Sequence, residues 1–221
     1  MKNKTPDFAY HMTKFFTEYL PIQRNLSPNS IATYRDTFRL LLLFYDTGKH
    51  IKPNLLTLDM LNVQEIEDFM LWLKKERNCG ASTCNQRLGA LKSFFRYLQF
   101  ALPDRALQCQ ENLAIRPMKQ SEPGLKYLTI DGIKLLLEQP DIKTKYGRRD
   151  LAILSLMYDT GARVQEIADI KIVHIRFSAP ATIRITGKGD KTRVVPLLSR
   201  TEDILKQYIK DFKIDAGGND A

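Results

Sequence analysis

Arg163, at the predicted start of a short helix, is a candidate for binding a phosphate. The apolar run of residues 150–158 predicts a buried helix that Thr160 and Gly161 end, and a second helix is predicted to begin near Arg163. A helix start has free N–H groups and a partial positive charge, so an arginine there favours phosphate binding. Glu166 follows three residues later and is expected close to the same face.

A β-hairpin is predicted after this helix. Residues 181–186 alternate small or apolar with polar side chains, residues 187–190 (GKGD) have the composition of a turn, and residues 193–197 (RVVPL) return. Lys188 is therefore placed at the hairpin tip. A Walker A phosphate loop is excluded for GKGDKT, because that motif needs a helix after its lysine and a strand is predicted here.

The two motifs TGARVQEI (160–167) and GKGDKTRVVP (187–196) resemble those of the tyrosine recombinase, or phage integrase, family, which includes the Xer-like site-specific recombinases. In that family the arginine clamps the scissile phosphate, an acidic residue supports it, and the hairpin lysine is the general acid on the leaving 5′ oxygen. The resemblance implies these roles for Arg163, Glu166 and Lys188, and it implies no metal and no cofactor. His174 departs from the aspartate that the family often has there.

The rest of the family's site has no match after the hairpin. The family adds a His-x-x-Arg motif, a further His or Trp and a nucleophilic tyrosine, whereas here the last histidine is His174, the only tryptophan is Trp72 and the one later tyrosine is Tyr208. Tyr208 belongs to an apolar helical stripe, which predicts core packing. The sequence is therefore expected to be an N-terminal portion of a recombinase that stops about halfway through the catalytic domain.

Four helices are predicted in the N-terminal part. Their starts are expected at Thr5-Pro6, Ser27-Pro28, Asn62 and Ser82, and the first is expected to end at Pro21. In the fourth helix one stripe is apolar and an opposite face is polar; the stripe is Leu88, Leu91, Phe94, Phe95 and Leu98, and the polar face is Asn85, Gly89, Lys92 and Arg96.

Two of these helices, SPNSIATYRDTFRLLLLF and STCNQRLGALKSFFRYL, resemble the core-binding (SAM-like) domain of the same family. The resemblance implies contacts with the phosphates of duplex DNA. The candidate DNA contacts are Arg35, Arg39, Asn85, Lys92, Arg96, Lys191 and Arg193. For any single one of Arg35, Arg39, Lys92 and Arg96, a solvated surface position is an equally good interpretation.

The composition and the positions of proline and glycine indicate the domain organisation. The chain has 221 residues and a net charge of +9, from 34 basic and 25 acidic residues, which suits an anionic polymer as partner. Proline and glycine between residues 101 and 124 predict a linker, so residues 1–105 form a helical domain, residues 106–124 the linker and residues 125–221 a partial catalytic domain. The predicted fold is mainly α with a small β-hairpin or sheet.

Several other classes are disfavoured. Three cysteines and three histidines are too few and too scattered for a disulfide framework or a metal site, and no signal peptide or membrane span is present, so a cytoplasmic location is expected. The predicted function is DNA binding and site-specific recombination or integration, with duplex DNA and other recombinase protomers as partners. The alternative is a non-catalytic DNA-binding protein derived from an integrase.

Overall fold

The computed structural model describes residues 7–120, 124, 127–187 and 189–214, and the chain divides into two compact units, Met1–Pro123 and Gly124–Ala221. The described residues are mainly helical, with a single three-stranded antiparallel sheet in the second unit. The predicted fold class is confirmed.

Unit 1 contains five α-helices in its described part. Two of them continue into wider, π-helical turns, and three short 3₁₀ turns connect the others. The elements are α1 (Phe8–Lys14) with the π-helical segment Phe15–Gln23, α2 (Pro28–Leu43) with Phe44–Gly48, the turns Pro53–Leu55 and Leu58–Met60, α3 (Val63–Lys75), α4 (Ala81–Ala101), the turn Pro103–Arg105 and α5 (Ala106–Ala114).

The helix starts follow local capping chemistry. The Ser27 hydroxyl accepts from the backbone N–H of Ser30, and Asn62 Oδ1 accepts from that of Glu65 at 3.1 Å, as predicted. The expected helix end at Pro21 is wrong, because the helix runs on to Gln23 as π-helical turns with Pro21 inside them. The wider i→i−5 turn relieves the clash that a proline ring makes with the i−4 carbonyl of an α-helix. The predicted start at Thr5-Pro6 lies outside the described residues.

Aromatic side chains dominate the core of unit 1. All five residues of the predicted apolar stripe of α4 are buried. The Phe94 ring lies 5.2 Å from Phe15 and 5.2 Å from Phe38, in edge-to-face geometry, so α4 joins the first two helices.

The predicted linker of residues 106–124 needs correction, because its first half is a folded part of unit 1. Helix α5 packs along α4, with Cys109 and Asn112 buried. Asn112 Nδ2 donates to the carbonyl of Leu61 at 2.9 Å, and Gln108 Nε2 donates to that of Leu58 at 2.6 Å. The polar sequence of this helix resembles a linker because its attachment depends on side-chain amides more than on an apolar stripe.

Unit 2 contains four α-helices and the sheet in its described part. They are α6 (Ile130–Glu138), α7 (Lys145–Thr160), the short α8 (Val164–Ala168) and α9 (Ser199–Phe212), with a 3₁₀ turn at Ile172–His174. The strands are β1 (Ile175–Arg176), β2 (Thr182–Gly187) and β3 (Lys191–Pro196), and β2 pairs with β3 from Thr182↔Pro196 to Gly187↔Lys191. The predicted hairpin is confirmed.

The core of unit 2 forms between the sheet and two helices. Ile183 and Ile185 of β2 face inward against Leu156 of α7 and Leu205 of α9. An ion pair between Arg148 and Asp211 also joins α7 to α9. Tyr208 is partly buried, packs against this core and has its ring centroid 4.7 Å from that of Phe212, which confirms the predicted core packing.

A membrane-spanning helix and a metal cluster are both absent from the described residues. Among the described residues, no helix has both the length and the apolar character needed to cross a membrane. Within the same residues, no group of three or more His, Cys, Asp or Glu side chains is placed to hold a metal ion.

We expect Phe94→Ala to destabilise unit 1 by about 3–5 kcal/mol, because it removes the ring at the centre of the aromatic cluster. Trp72, the only tryptophan, packs against the same core, so its fluorescence during urea unfolding reports on unit 1. The control is Phe100→Ala near the end of the same helix, where the side chain is 82% exposed. That variant should stay within about 0.5 kcal/mol of the parent; equal losses in the two variants would contradict the assigned core.

Candidate active site

A tight turn between α7 and α8 sets the position of Arg163. Gly161 ends α7 in a left-handed conformation (φ 59°), which a residue with a side chain rarely adopts, and its N–H donates to the carbonyl of Met157. The Thr160 hydroxyl then accepts from the backbone N–H of Ala162 at 3.2 Å. Arg163 follows in an extended conformation as the N-cap of α8, as predicted.

A buried carboxylate holds two arginines at this point. Glu166 is only 6% exposed; its Oε1 accepts from Arg163 Nη1 at 2.8 Å, and its Oε2 accepts from the Arg163 backbone N–H at 3.1 Å. Oε2 also accepts from Arg193 Nη2 of β3 at 2.8 Å. We name these three residues the arginine–glutamate cluster. It ties the start of α8 to the β2–β3 hairpin.

The charges of the cluster are unevenly exposed. The Arg163 side chain is 76% exposed, whereas that of Arg193 is 39% exposed. The hydrogen bond from Arg193, followed by that from the Arg163 backbone, lowers the pKa of Glu166 from 4.5 to about 2, although burial acts in the opposite direction. Glu166 is therefore an anion at neutral pH, and two guanidinium charges against one carboxylate leave a net positive cluster whose exposed member is Arg163.

Close approach of the hairpin to this carboxylate depends on a glycine. A Cβ on Gly187, the last residue of β2, would lie 2.6 Å from Glu166 Oε1 and 3.7 Å from Arg193 Nη1. The first distance is shorter than any ordinary van der Waals contact, and Glu166 is held by three hydrogen bonds, so it has little freedom to move away. A side chain at position 187 would therefore push the hairpin and the carboxylate apart.

Two parts of the predicted site have different outcomes. Lys188 lies outside the described residues, so its place at the hairpin tip and its role as general acid stay predictions. The start of α8 contributes little to the binding of an anion, because this helix has only five residues and the Arg163 N–H is already bonded to Glu166. An anion at this site would be bound chiefly by the guanidinium of Arg163.

Some of the candidate DNA contacts are already hydrogen-bonded within the chain, and others are exposed. Asn85 exchanges two hydrogen bonds with the backbone of Met118, at 2.9 and 2.7 Å, and Lys92 Nζ donates to the carbonyl of Ile115 at 2.6 Å. Burial and the neighbouring Arg96 lower the pKa of Lys92. These two side chains hold the segment after α5 against the polar face of α4, and a DNA role for them stays a prediction.

Apart from Arg193, which is bonded to Glu166, the remaining candidates point to solvent. Arg35, Arg96 and Lys191 are exposed, and Arg39 is exposed with a long, 3.7 Å ion pair to Asp36. Such a surface pair contributes little to stability, so Arg39 remains free to bind an anion. Their DNA contacts also stay predictions.

Sequence patterns missed the link between Arg193 and Glu166 and the close approach of Gly187. Both residues lie in the motif GKGDKTRVVP, for which the sequence predicts a DNA contact at Arg193 and a turn at Gly187. No spacing rule connects strand β3 to a residue 27 positions earlier. The one signal in the sequence for this ion pair is that Glu166 lies near Arg163 in one motif and that a second arginine, Arg193, lies in the other motif.

Comparison with solved structures identifies the class of fold. The fold resembles that of the XerH site-specific recombinase, solved bound to its difH substrate, with a TM-score of 0.62 at 19% sequence identity over 100% of this chain and 66% of that one. The Tn1549 transposon integrase, solved with circular intermediate DNA, gives a TM-score of 0.65 at 13% identity over 89% of this chain and 64% of that one. The architecture is that of integrases and site-specific recombinases.

Sequence comparison gives the family. The phage integrase N-terminal SAM-like domain matches residues 14–100, and the phage integrase family matches residues 126–220. The chain therefore belongs to the phage integrase family of tyrosine recombinases.

Individual relatives agree with this assignment. The chain is 34% identical over 208 residues to y4rC of Sinorhizobium fredii, described as a candidate integrase/recombinase, covering 94% of this chain and 63% of that protein. It is 31% identical over 200 residues to tyrosine recombinase XerD of Listeria innocua, covering 90% and 64%. The chain thus spans less than two thirds of the length of these relatives.

We expect Glu166→Gln to destabilise unit 2 at neutral pH and to have less effect in acid. The folded pKa of Glu166 is depressed, so its contribution is complete above the unfolded value of 4.5 and is lost as the pH falls towards about 2. Unfolding of the parent and the variant between pH 7 and pH 2.5 should show converging midpoints below the unfolded pKa. A constant gap between the two midpoints would contradict the ion pairs assigned to Glu166.

Proposed function

We propose that this chain binds duplex DNA and supplies part of the active site of a tyrosine-type site-specific recombinase. The observation that supports this most strongly is the arginine–glutamate cluster, in which a buried carboxylate orients an exposed arginine within the family's TGAR motif. An oriented guanidinium with free N–H donors matches the oxygens of a phosphodiester. The XerH and Tn1549 proteins are named as DNA complexes, which supports DNA as the partner.

The proposed chemistry divides the roles between two cations. Arg163 stabilises charge on the nonbridging oxygens while the phosphorus is five-coordinate, and Lys188 protonates the departing 5′ oxygen. A tyrosine would displace that oxygen and form a phosphotyrosyl bond, which conserves the energy of the phosphodiester during strand exchange. These steps require no metal and no other cofactor. Further protomers bound to the DNA would act on the partner strands.

Among the described residues that follow the hairpin, no side chain is placed as a suitable nucleophile. Tyr208 is the one tyrosine after the hairpin, and it packs against the core of unit 2 beside Phe212. This observation also favours the second candidate, a non-catalytic DNA-binding protein derived from an integrase. Sequencing the coding DNA past the codon for Ala221 distinguishes the two, since a recombinase requires a continuation into His-x-x-Arg and a tyrosine.

Duplex binding is expected to weaken steeply with salt, because cationic side chains displace condensed counterions from DNA. Replacing Arg35, Arg39 and Arg96 by Gln removes three exposed cations without disturbing the hydrogen bond of Lys92. If each contacts a phosphate, the slope of log K against log salt should fall by about 3. Fluorescence anisotropy with a labelled duplex measures this slope.

The matched control replaces Lys52, Lys74 and Lys75 by Gln, which removes the same charge from other exposed positions of unit 1. Its salt slope should stay close to that of the parent. If the two triple variants lose the same slope, binding depends on net charge alone and the assigned DNA face is wrong.

The 221-residue chain alone is expected to form no covalent complex with DNA. Residues that act as one catalytic unit are strongly non-additive, so losing the nucleophile removes the covalent route whatever the remaining groups stabilise. Nicked suicide duplexes with a randomised central sequence would trap a phosphotyrosyl product as a shifted band on a denaturing gel. Tyr208→Phe is the control: an adduct in the parent that disappears in this variant would make Tyr208 the nucleophile and overturn the expectation.

A further inference from the structure

The Glu166 carboxylate reduces the positive charge that Arg163 can offer to a phosphate. Its guanidinium lies 2.8 Å from the Glu166 carboxylate, and an anion so close cancels much of the positive charge that a phosphate would meet. Because Glu166 is only 6% exposed, water screens it poorly. A carboxylate that orients the arginine would, by itself, also weaken it as an anion-binding group.

Arg193 supplies the missing positive charge from another element. It donates through Nη2 to Glu166 Oε2, while Arg163 Nη1 uses Oε1, so the two guanidiniums occupy different oxygens of one carboxylate. Arg193 is half as exposed as Arg163 and is directed into the cluster. Its position therefore favours neutralisation of Glu166 over direct contact with DNA.

The same contact also fixes the hairpin. Gly187 pairs with Lys191 at the end of the β2–β3 ladder, and its lack of a side chain lets the strand lie directly against Glu166 Oε1. The next residue in the sequence is Lys188, the predicted general acid. The Glu166–Arg193 pair and Gly187 together determine how closely the end of β2 approaches the start of α8, where Arg163 lies.

We propose that Arg193 is a positioning residue that neutralises Glu166, so that Glu166 can orient Arg163 without cancelling the charge offered to the phosphate. Gly187 provides the space for this arrangement. The proposal rests on the proposed DNA-binding function, and it replaces the direct DNA contact expected for Arg193.

The first arm of the test measures the Glu166 carboxyl by carbon-13 NMR, with Glu166→Gln to assign the signal. In Arg193→Gln the titration midpoint of Glu166 should rise by about one pH unit or more, because an opposite charge in contact is removed. Arg193→Lys should retain most of the depression. Arg184→Gln is the matched control, since Arg184 is exposed on the neighbouring strand and forms no hydrogen bond or ion pair with the described residues.

The second arm measures affinity for a random-sequence duplex by anisotropy, with circular dichroism to confirm that each variant is folded. Arg193→Gln should weaken binding about tenfold, because the Glu166 carboxylate is then no longer neutralised and weakens the charge-assisted contact between Arg163 and a phosphate. Adding Glu166→Gln to that variant should restore affinity, because the anion that Arg193 neutralised is gone. Adding Glu202→Gln instead makes the same change of charge at the partly buried partner of Lys206, outside the cluster, and should restore much less.

Each outcome has a distinct meaning. If Glu166→Gln rescues no better than Glu202→Gln, Arg193 contacts DNA directly and the proposal is wrong, while the proposed function stands. If the parent does not bind duplex DNA, the proposed function fails and the phosphate role of Arg193 fails with it. If Arg193→Gln does not fold, Arg193→Lys and Gly187→Ala decide: Lys should retain affinity within about twofold, whereas Ala should lower it by displacing the carboxylate without changing any charge.

Discussion

One buried carboxylate between two arginines is the interaction on which the candidate site depends. Glu166 would be costly to bury as an isolated anion, and the guanidiniums of Arg163 and Arg193 offset that cost with short, charge-assisted hydrogen bonds. The exposed arginine can be oriented only if the carboxylate is held, and the carboxylate is held from two separate elements. The start of α8 and the β2–β3 hairpin are therefore positioned as one group.

The turn after α7 and the core of unit 2 position the start of α8 and the β2–β3 hairpin. Gly161 turns the chain sharply after α7, and Ile183 and Ile185 anchor β2 on the core, which fixes the register of the hairpin. In that register Arg193 pairs with Ile185. A slip of one residue would turn Arg193 to the opposite face of the sheet and leave Glu166 with a single partner. Core packing thus decides an electrostatic arrangement at the surface.

In unit 1 the polar face of α4 binds another segment of the same chain. Asn85 and Lys92 bind backbone groups of residues 115–118, so half of the predicted DNA-binding face of α4 is occupied by the segment that follows α5. Arg96 on the same helix stays exposed, as do Arg35 and Arg39 of α2. Among the candidate contacts of unit 1, the three arginines are therefore expected to attract an anionic polymer.

Local spacing was sufficient for most of the helices, the caps at Ser27 and Asn62 and the hairpin, because these depend on residues within a few positions of one another. It also sufficed for the family, since both quoted motifs are contiguous. Spacing could not show that Arg193 neutralises Glu166, that residues 106–114 fold onto α4 as a helix, or that Lys92 is bonded to Ile115. The contacts Lys92–Ile115 and Arg193–Glu166 join residues 23 and 27 positions apart, and the side-chain amides of α5 bind the still more distant Leu58 and Leu61. They exist only when the packed core brings distant backbone and side-chain groups within hydrogen-bonding distance.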